Sequence, residues 1–131
     1  MNEHTPPLPQ RQPRTVLLVD DHARVRAALA LLLRWSGEWQ IVGEAGDSAH
    51  ALRLAAILRP DLVLLDRWLS DGDGLCLVPR LQALARPPMV ALLTAEPELA
   101  IQAAALDLGI ARCLDKMMPP IKLLEALRAL L

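Results

Sequence analysis

Asp61-Leu62-Val63-Leu64-Leu65-Asp66 sets four consecutive apolar residues between two carboxylates. Leu and Val without alternation read as a strand buried on both faces, as in the middle of a parallel sheet. The chain leaves such a strand at its C-terminal end, and Asp66 stands there. Arg67-Trp68-Leu69-Ser70-Asp71-Gly72-Asp73-Gly74 follows. Its Gly and Asp residues favour turns, so this is loop chemistry. An acid at the end of a buried strand, with a polar loop opening beside it, marks the edge where open parallel sheets bind ligands.

The same pattern recurs in both directions along the chain. Thr15-Val16-Leu17-Leu18-Val19 is a buried strand that runs into Asp20 and Asp21. His22 to Arg34 has helical spacing, with Val25, Leu29, Leu32 and Leu33 on one face, Arg24, Arg26 and Arg34 outside it, and Ser36-Gly37 as the stop. Gln40 to Ala45 is a short second strand, Gly46-Asp47-Ser48 a turn and N-cap, and Ala49 to Arg59 a second helix closed by Pro60. That helix offers Leu52, Ala55, Ala56 and Leu58 for burial. Past the central strand, Leu75 to Ala85 reads as a helix in which Pro79 should cost a hydrogen bond or a kink. Met89 to Thr94 is a fourth strand, Glu98 to Leu108 a helix opened by Pro97 and stopped by Gly109. Ala111 to Asp115 is a fifth strand running into Lys116, and Ile121 to Leu131 a last helix. Five β-α repeats predict an α/β fold: a parallel sheet with helices on both faces and right-handed crossovers.

Composition narrows the function. The chain has 131 residues, 53% hydrophobic, with a formal net charge of -1. That describes one globular domain, without the basic cluster of a nucleic-acid binder. Its longest apolar run, Ala27 to Leu33, is far short of a membrane span, and no apolar signal core is present, so a cytoplasmic location without membrane contact is expected. Residues 1–14, with Pro6, Pro7, Pro9 and Pro13, read as a disordered proline-rich leader that also holds His4; residues 15–131 form the domain. Cys76 and Cys113 have no metal-type spacing and read as buried free thiols. There is no Phe and no Tyr, so the core must be built from Leu, Ala and Val.

A parallel sheet gathers the C-terminal ends of its strands on one edge. Asp20, Asp21, Asp66, Thr94 and Lys116 therefore share a rim, and the second strand, which ends in nothing comparable, suits the border. Taken singly, each Asp is a turn former or helix cap and Lys116 a surface lysine. Together they place three like charges where they raise one another's pKa. A divalent cation resolves that repulsion, and oxygen ligands suit Mg²⁺. A carboxylate nucleophile, a Mg²⁺, a lysine and a hydroxyl are the parts needed to accept a phosphoryl group on Asp66.

Val19-Asp20-Asp21-His22, Pro60 to Asp66, Asp71-Gly72-Asp73-Gly74-Leu75, Leu93-Thr94-Ala95 and Lys116 together resemble the receiver domain of bacterial two-component response regulators. Val25-Arg26 and Ile41-Val42-Gly43-Glu44-Ala45 are most similar to its NarL/LuxR-type branch, in which a DNA-binding effector domain normally follows. The resemblance implies a flavodoxin-like (CheY-like), doubly wound five-stranded sheet of order 2-1-3-4-5, the order for which a receiver is itself the standard illustration. It implies Asp66 as phosphoacceptor from a sensor histidine kinase, and Asp20, Asp21, Asp66 and the Trp68 carbonyl as Mg²⁺ ligands. Thr94 becomes the switch hydroxyl and Lys116 the phosphate partner. It implies promotion of the domain's own phosphorylation and dephosphorylation, with no turnover of an external substrate. The output face would be the fourth helix, fifth strand and last helix, with Ala100, Ala104, Arg112 and Lys122, and could pair as a homodimer. DNA would be reached only through an effector domain outside this chain.

Departures from the family pattern bear on the switch. Cys113 stands where an aromatic is usual, Ser70 replaces the loop proline, and Met117 follows Lys116 in place of proline. Without proline a cis bond after Lys116 costs roughly 2.5–4 kcal/mol and is not expected. Arg67 and Trp68 are large enough to screen the site. The alternative is therefore a receiver-like interaction module that works independently of phosphate. A hydrolase would want an acid where Trp68 stands, a nucleotide binder a phosphate-cradling loop after the first strand, and an EF-hand a different ligand spacing. His22 and His50 are expected to cap, pack or face solvent.

Overall fold

The computed structural model describes residues 12–131. His4 and the remainder of the proline-rich leader up to residue 11 lie outside the described residues. In chain order the elements are β1 (Arg14–Val19), α1 (Ala23–Ser36), β2 (Trp39–Ala45), α2 (Ser48–Leu58), β3 (Leu62–Asp66), β4 (Trp68–Leu69) and β5 (Gly72–Asp73). A 3₁₀ turn (Gly74–Leu77), α3 (Val78–Gln82), β6 (Met89–Thr94), α4 (Leu99–Asp107), β7 (Arg112–Asp115) and α5 (Pro120–Arg128) follow.

All five residues of β3 are buried, and the strand pairs in parallel with β1 on one side and β6 on the other. β2 and β7 close the two borders, giving β2-β1-β3-β6-β7. Counted over the sheet strands alone, this is the expected 2-1-3-4-5. The two-residue strands β4 and β5 form a separate antiparallel hairpin inside the stretch expected to be plain loop.

Side-chain alternation divides the core in two. Leu17 and Val19 of β1, Val63 and Leu65 of β3 and Leu92 of β6 pack with Ala51, Ala55, Leu81 and Ala105 from α2, α3 and α4. Val16, Leu18, Leu62, Leu64, Ala91 and Leu93 point the other way, onto Ala30 and Leu33 of α1 and Leu123 and Leu127 of α5. Each fully buried Leu or Val stabilises the fold by about 1.5–3 kcal/mol, which is how a core with no Phe or Tyr is sufficient. The helix on β2 and β1 sets its alanines against the sheet: Ala51 and Ala55 are buried, whereas Ala56 and Leu58 are exposed, contrary to the expected face. Small side chains one turn apart let α2 lie close.

Local chemistry explains the ends. Gly37 takes the left-handed conformation (φ 71°) that stops α1, and Asp47 caps α2 by accepting the His50 N–H at 2.7 Å. Pro79 does not kink a long helix; α3 begins at Val78, so the proline falls in the first turn, where its missing N–H has no partner to lose. The free thiols are less buried than expected: Cys76 is exposed and Cys113 half-buried.

The opposite end of β3 from Asp66 is pinned by Asp61. Its carboxylate accepts the Thr15 N–H at 2.8 Å and the Thr15 hydroxyl at 3.1 Å, while the Asp61 N–H donates to the Thr15 hydroxyl oxygen at 2.9 Å. Arg86 adds an ion pair at 3.0 Å. The Thr15 backbone N–H, with help from its hydroxyl and Arg86, holds the Asp61 pKa below the ordinary carboxylate range.

Asp61→Ala is expected to cost about 1–2 kcal/mol, the lower part of the range for a charged hydrogen bond because the group still meets solvent. Thermal unfolding at neutral pH reads this directly. The folded pKa is depressed, so the contribution is complete above the unfolded value near about 4 and is lost as pH falls through the folded value. The variant should therefore show a flatter acid limb; a melting temperature equal to wild type at pH 7 refutes the role. Gly74→Ala is expected to cost about 1–3 kcal/mol by overpacking, because a Cβ there would meet the Asp66 and Arg67 carbonyl oxygens. Unchanged stability in that variant would show that the loop yields freely.

Candidate functional site

The C-terminal edge of the sheet collects the chemistry. β1 runs into Asp20 and Asp21, β3 ends in Asp66, β6 ends in Thr94, and β7 runs into Lys116. The parallel register sets these ends side by side: Val19 lies opposite Leu65, Asp66 opposite Leu93 and Thr94 opposite Asp115. Asp20, Asp66 and Thr94 are the buried polar residues there, at 2%, 4% and 3% exposure.

Lys116 binds the rim together. Its Nζ is 3.0 Å from Asp20 Oδ2 and 3.1 Å from Asp66 Oδ2. Burial pushes the Asp66 pKa up and the nearby Asp20 charge adds to this, against the pull of Lys116; the net shift is upward. Burial alone would lower the Lys116 pKa, but its contacts with Asp20 and Asp66 outweigh that and raise it. The Lys116 N–H donates to the Thr94 carbonyl at 2.9 Å, so the tips of β6 and β7 are tied at the site. The Thr94 hydroxyl accepts the Glu96 N–H at 3.3 Å.

Ligand atoms from Asp20, Asp21, His22 and Asp66 all lie within 4.8 Å of one another. Asp20 Oδ2 is buried and its neighbour is the Lys116 ammonium at 3.0 Å, the same group that also meets Asp66. Three carboxylates converging around one lysine leave oxygens that a single ammonium cannot neutralise, the donor set of a hard divalent cation, so these residues fit one. His22 was not expected in this group. It is the N-cap residue of α1 but makes no side-chain cap; its Nδ1 stands 2.9 Å from Asp21 Oδ1 and 3.3 Å from Asp20 Oδ1. The Asp20 carboxylate also accepts the His22 N–H at 2.8 Å, which fixes the loop.

Several residues support the site through partners that the sequence pattern does not show. Arg26 leaves the outer face of α1, donates to the Asp20 carbonyl and lies 3.4 Å from Glu44. Asp71 accepts the Ser48 and Ala49 N–H groups at 2.9 and 3.3 Å, fastening the β4–β5 hairpin to the start of α2, and these bonds, Ser48 first, hold its pKa down. Ser70 donates to the Gly46 carbonyl at 3.2 Å. Arg67 lies over the exposed Trp68 ring at 4.6 Å and 3.6 Å from Asp73. A one-letter pattern shows Asp71 as a turn former and Arg26 as a solvated charge; their partners are remote in sequence.

Of the expected site residues, then, Asp20, Asp21, Asp66 and Lys116 converge, Thr94 joins them at the tip of β6, and Trp68 lies two residues beyond Asp66 on the hairpin. On the expected output face, Ala100, Arg112 and Lys122 are exposed and Ala104 is half-buried. No helix among the described residues is long and apolar enough to cross a membrane.

Comparison with known proteins agrees with this geometry. The family model described as "Response regulator receiver domain" matches residues 16–128. The transcriptional regulatory protein PdtaR of Mycobacterium tuberculosis is 40% identical over 80 residues, 61% of this chain and 38% of that protein. The chain thus spans well under half the length of that relative. Among solved structures, the signal receiver domain of a NarL response regulator from Mycobacterium tuberculosis superposes with a TM-score of 0.85 at 32% identity, covering 92% of this chain and 97% of the other. The isolated receiver domain of RcsB from Salmonella enterica serovar Typhimurium, solved with a phosphomimetic BeF₃⁻, gives 0.81 at 27% identity, with 91% and 88% covered. With its fold, its acidic rim and nearly the whole of its described length in agreement, the chain belongs to the response regulator receiver domain family of two-component signalling.

Proposed function

We propose that Asp66 accepts a phosphoryl group from the phosphohistidine of a sensor kinase in a Mg²⁺-dependent reaction. The observation that carries this reading is the meeting of Lys116 with Asp20 and Asp66 at 3.0 and 3.1 Å, with the Asp21 carboxylate on the same edge. In the transfer an Asp66 carboxylate oxygen attacks phosphorus, the P–O bond forms, the P–N bond to histidine breaks, and the imidazole leaves. Asp20, Asp21, Asp66 and the Trp68 carbonyl would hold the Mg²⁺, which supplies charge neutralisation for the phosphoryl oxygens. Lys116 is already held at the acceptor and pairs with one phosphoryl oxygen. The Thr94 hydroxyl, whose oxygen accepts the Glu96 N–H, turns its O–H to donate to another. Arg67 and Trp68, stacked beside the acceptor, limit water access and slow loss of the phosphoryl group.

The modified domain then presents α4, β7 and α5 as its output and dimerisation face, in a cytoplasmic protein that would reach DNA only through an effector domain. A second reading has one observation in its favour. Cys113 is half-buried against the core where the family carries an aromatic, so the usual ring movement cannot relay the Thr94 shift. On that reading the domain binds its partner whether or not Asp66 is modified.

Incubation of the purified protein with Mg²⁺ and a small phosphodonor such as acetyl phosphate should add one phosphoryl group by intact mass. Asp66→Asn should abolish the addition while leaving the melting transition in place; persistent labelling of that variant removes Asp66 as acceptor. Lys116→Ala is expected to slow phosphorylation on the order of 10²-fold, as for loss of one aligned electrostatic group, with a smaller change in Mg²⁺ affinity. A loss of Mg²⁺ binding equal to the loss of rate would show that Lys116 acts through the metal site. Phosphorylation that leaves amide shifts on α4, β7 and α5 unmoved would favour the phosphate-independent module.

A further inference from the structure

The His22 ring has little structural work to do at the rim. The residue is the N-cap of α1, yet its side chain makes no cap hydrogen bond. Its backbone N–H donates to Asp20 Oδ1 at 2.8 Å, and this alone holds the loop. The side chain is 64% exposed and could extend into water, but it turns inward. Its Nδ1 stands 2.9 Å from Asp21 Oδ1 and 3.3 Å from Asp20 Oδ1. An exposed pair of this kind contributes little stability by itself, so the fold does not account for the placement.

The spacing is that of ligands around one ion. Nitrogen and oxygen ligands of a metal such as Zn²⁺ lie about 2.0–2.2 Å from it, so two at right angles stand about 3.0 Å apart. His22 Nδ1 and Asp21 Oδ1 already have that separation. Ligand atoms of Asp20, Asp21, His22 and Asp66 fall within 4.8 Å of one another, against about 4.2 Å for ligands on opposite sides of such an ion. The widest pair has to draw in by roughly half an ångström.

The acids divide the work. Asp20 has one oxygen on the His22 N–H and the other on Lys116, which also holds Asp66 Oδ2. Asp21 has the imidazole beside it instead of the ammonium. Oxygen from Asp21 and Asp66 and nitrogen from His22 are therefore the atoms left to face an ion, and the set is mixed. Mg²⁺ prefers oxygen, keeps several waters and gains little from an imidazole. Imidazole suits the later first-row ions, for which affinity rises from Mn²⁺ through Co²⁺ to Ni²⁺.

We propose, resting on the reading of the rim as a metal site, that His22 Nδ1 is a direct metal ligand there. With Asp21 and Asp66 it makes the rim a site for borderline divalent ions such as Co²⁺, Ni²⁺ and Zn²⁺. These compete with Mg²⁺ for the same carboxylates, so the ion carried depends on which is available.

Calorimetric titration of the metal-free full-length chain with Co²⁺ and, separately, with Mg²⁺ tests this. Co²⁺ should bind more tightly, and excess Mg²⁺ should displace it. Loss of a residue that only hydrogen-bonds a metal ligand costs roughly 10–100-fold in affinity, and loss of a ligand no less. His22→Ala should therefore weaken Co²⁺ binding about tenfold or more and change Mg²⁺ binding far less. His22→Gln, which can still donate a hydrogen bond to Asp21, should behave as His22→Ala does. With Zn²⁺ as the probe, the ¹⁵N signal of His22 Nδ1 should move to that of a metal-bound nitrogen while the His50 signals stay. An equal loss for both ions, or full Co²⁺ affinity in His22→Gln, overturns the proposal, because the ring then only orders the acids. So does Co²⁺ that excess Mg²⁺ leaves in place, since it sits elsewhere. Co²⁺ bound through His22 in a chain that takes no phosphoryl group upholds the ligand and removes Asp66 as acceptor. Phosphorylation of Asp66 without any preference for Co²⁺ does the reverse.

Discussion

One ammonium held between two buried carboxylates is the interaction on which this domain turns. Lys116 is 3.0 Å from Asp20 and 3.1 Å from Asp66. At an effective dielectric of about 20, each contact is worth on the order of 5 kcal/mol of attraction. Desolvation of each ion costs several kcal/mol in return, so the triad adds little net stability. What it does is specify positions. Three strands of a parallel sheet must end in register for β1, β3 and β7 to deliver these atoms to one point, and Asp21, also on this edge, remains to be neutralised. The rim is therefore short of positive charge by its topology, which is the physical reason a divalent cation fits it.

The sheet can place that rim because its interior is spent on nothing else. Period-two alternation in β1, β3 and β6 divides the leucines and valines between two apolar layers, one under α2, α3 and α4 and the other under α1 and α5. Neither layer needs a polar group, so the buried polar side chains at this edge gather at strand ends. Gly74 completes the arrangement by allowing the hairpin backbone to close against the Asp66 and Arg67 carbonyls, where any side chain would intrude.

Much of this was legible in the residues. Buried strands written as unbroken Leu and Val runs, and the acids or lysine that follow them, depend on local order alone, and β3 and β6 fall where expected. Strand order was carried by family resemblance, since pairing is a long-range choice that no local pattern fixes. Helix faces are less legible. In α2 the sequence offers both leucines and alanines for burial, and close packing against the sheet selected Ala51 and Ala55. Pro79 misled because a proline inside an apolar run reads as a break, whereas here a 3₁₀ turn absorbs the residues before it and moves the helix start. His22, Arg26 and Asp71 look in the sequence like caps, solvated charges or turn formers because their roles depend on partners brought near only by the fold.

The two acids that bracket β3 show why residue type alone could not assign these roles. Asp61 and Asp66 are five residues apart on one strand, yet their pKa values move in opposite directions. At the N-terminal end, Asp61 accepts hydrogen bonds from the Thr15 backbone and hydroxyl, and each of these favours the charged form. That carboxylate is satisfied, and its work is to staple β1 to β3. At the C-terminal end, Asp66 is desolvated beside another carboxylate, and Lys116 offsets this only in part. Its charge is kept at a cost, with an oxygen available to a cation or an electrophile. A strand buried on both faces thus sorts its flanking acids by the direction of its backbone: donors at one end make a staple, and crowding at the other leaves a carboxylate that one lysine only partly offsets.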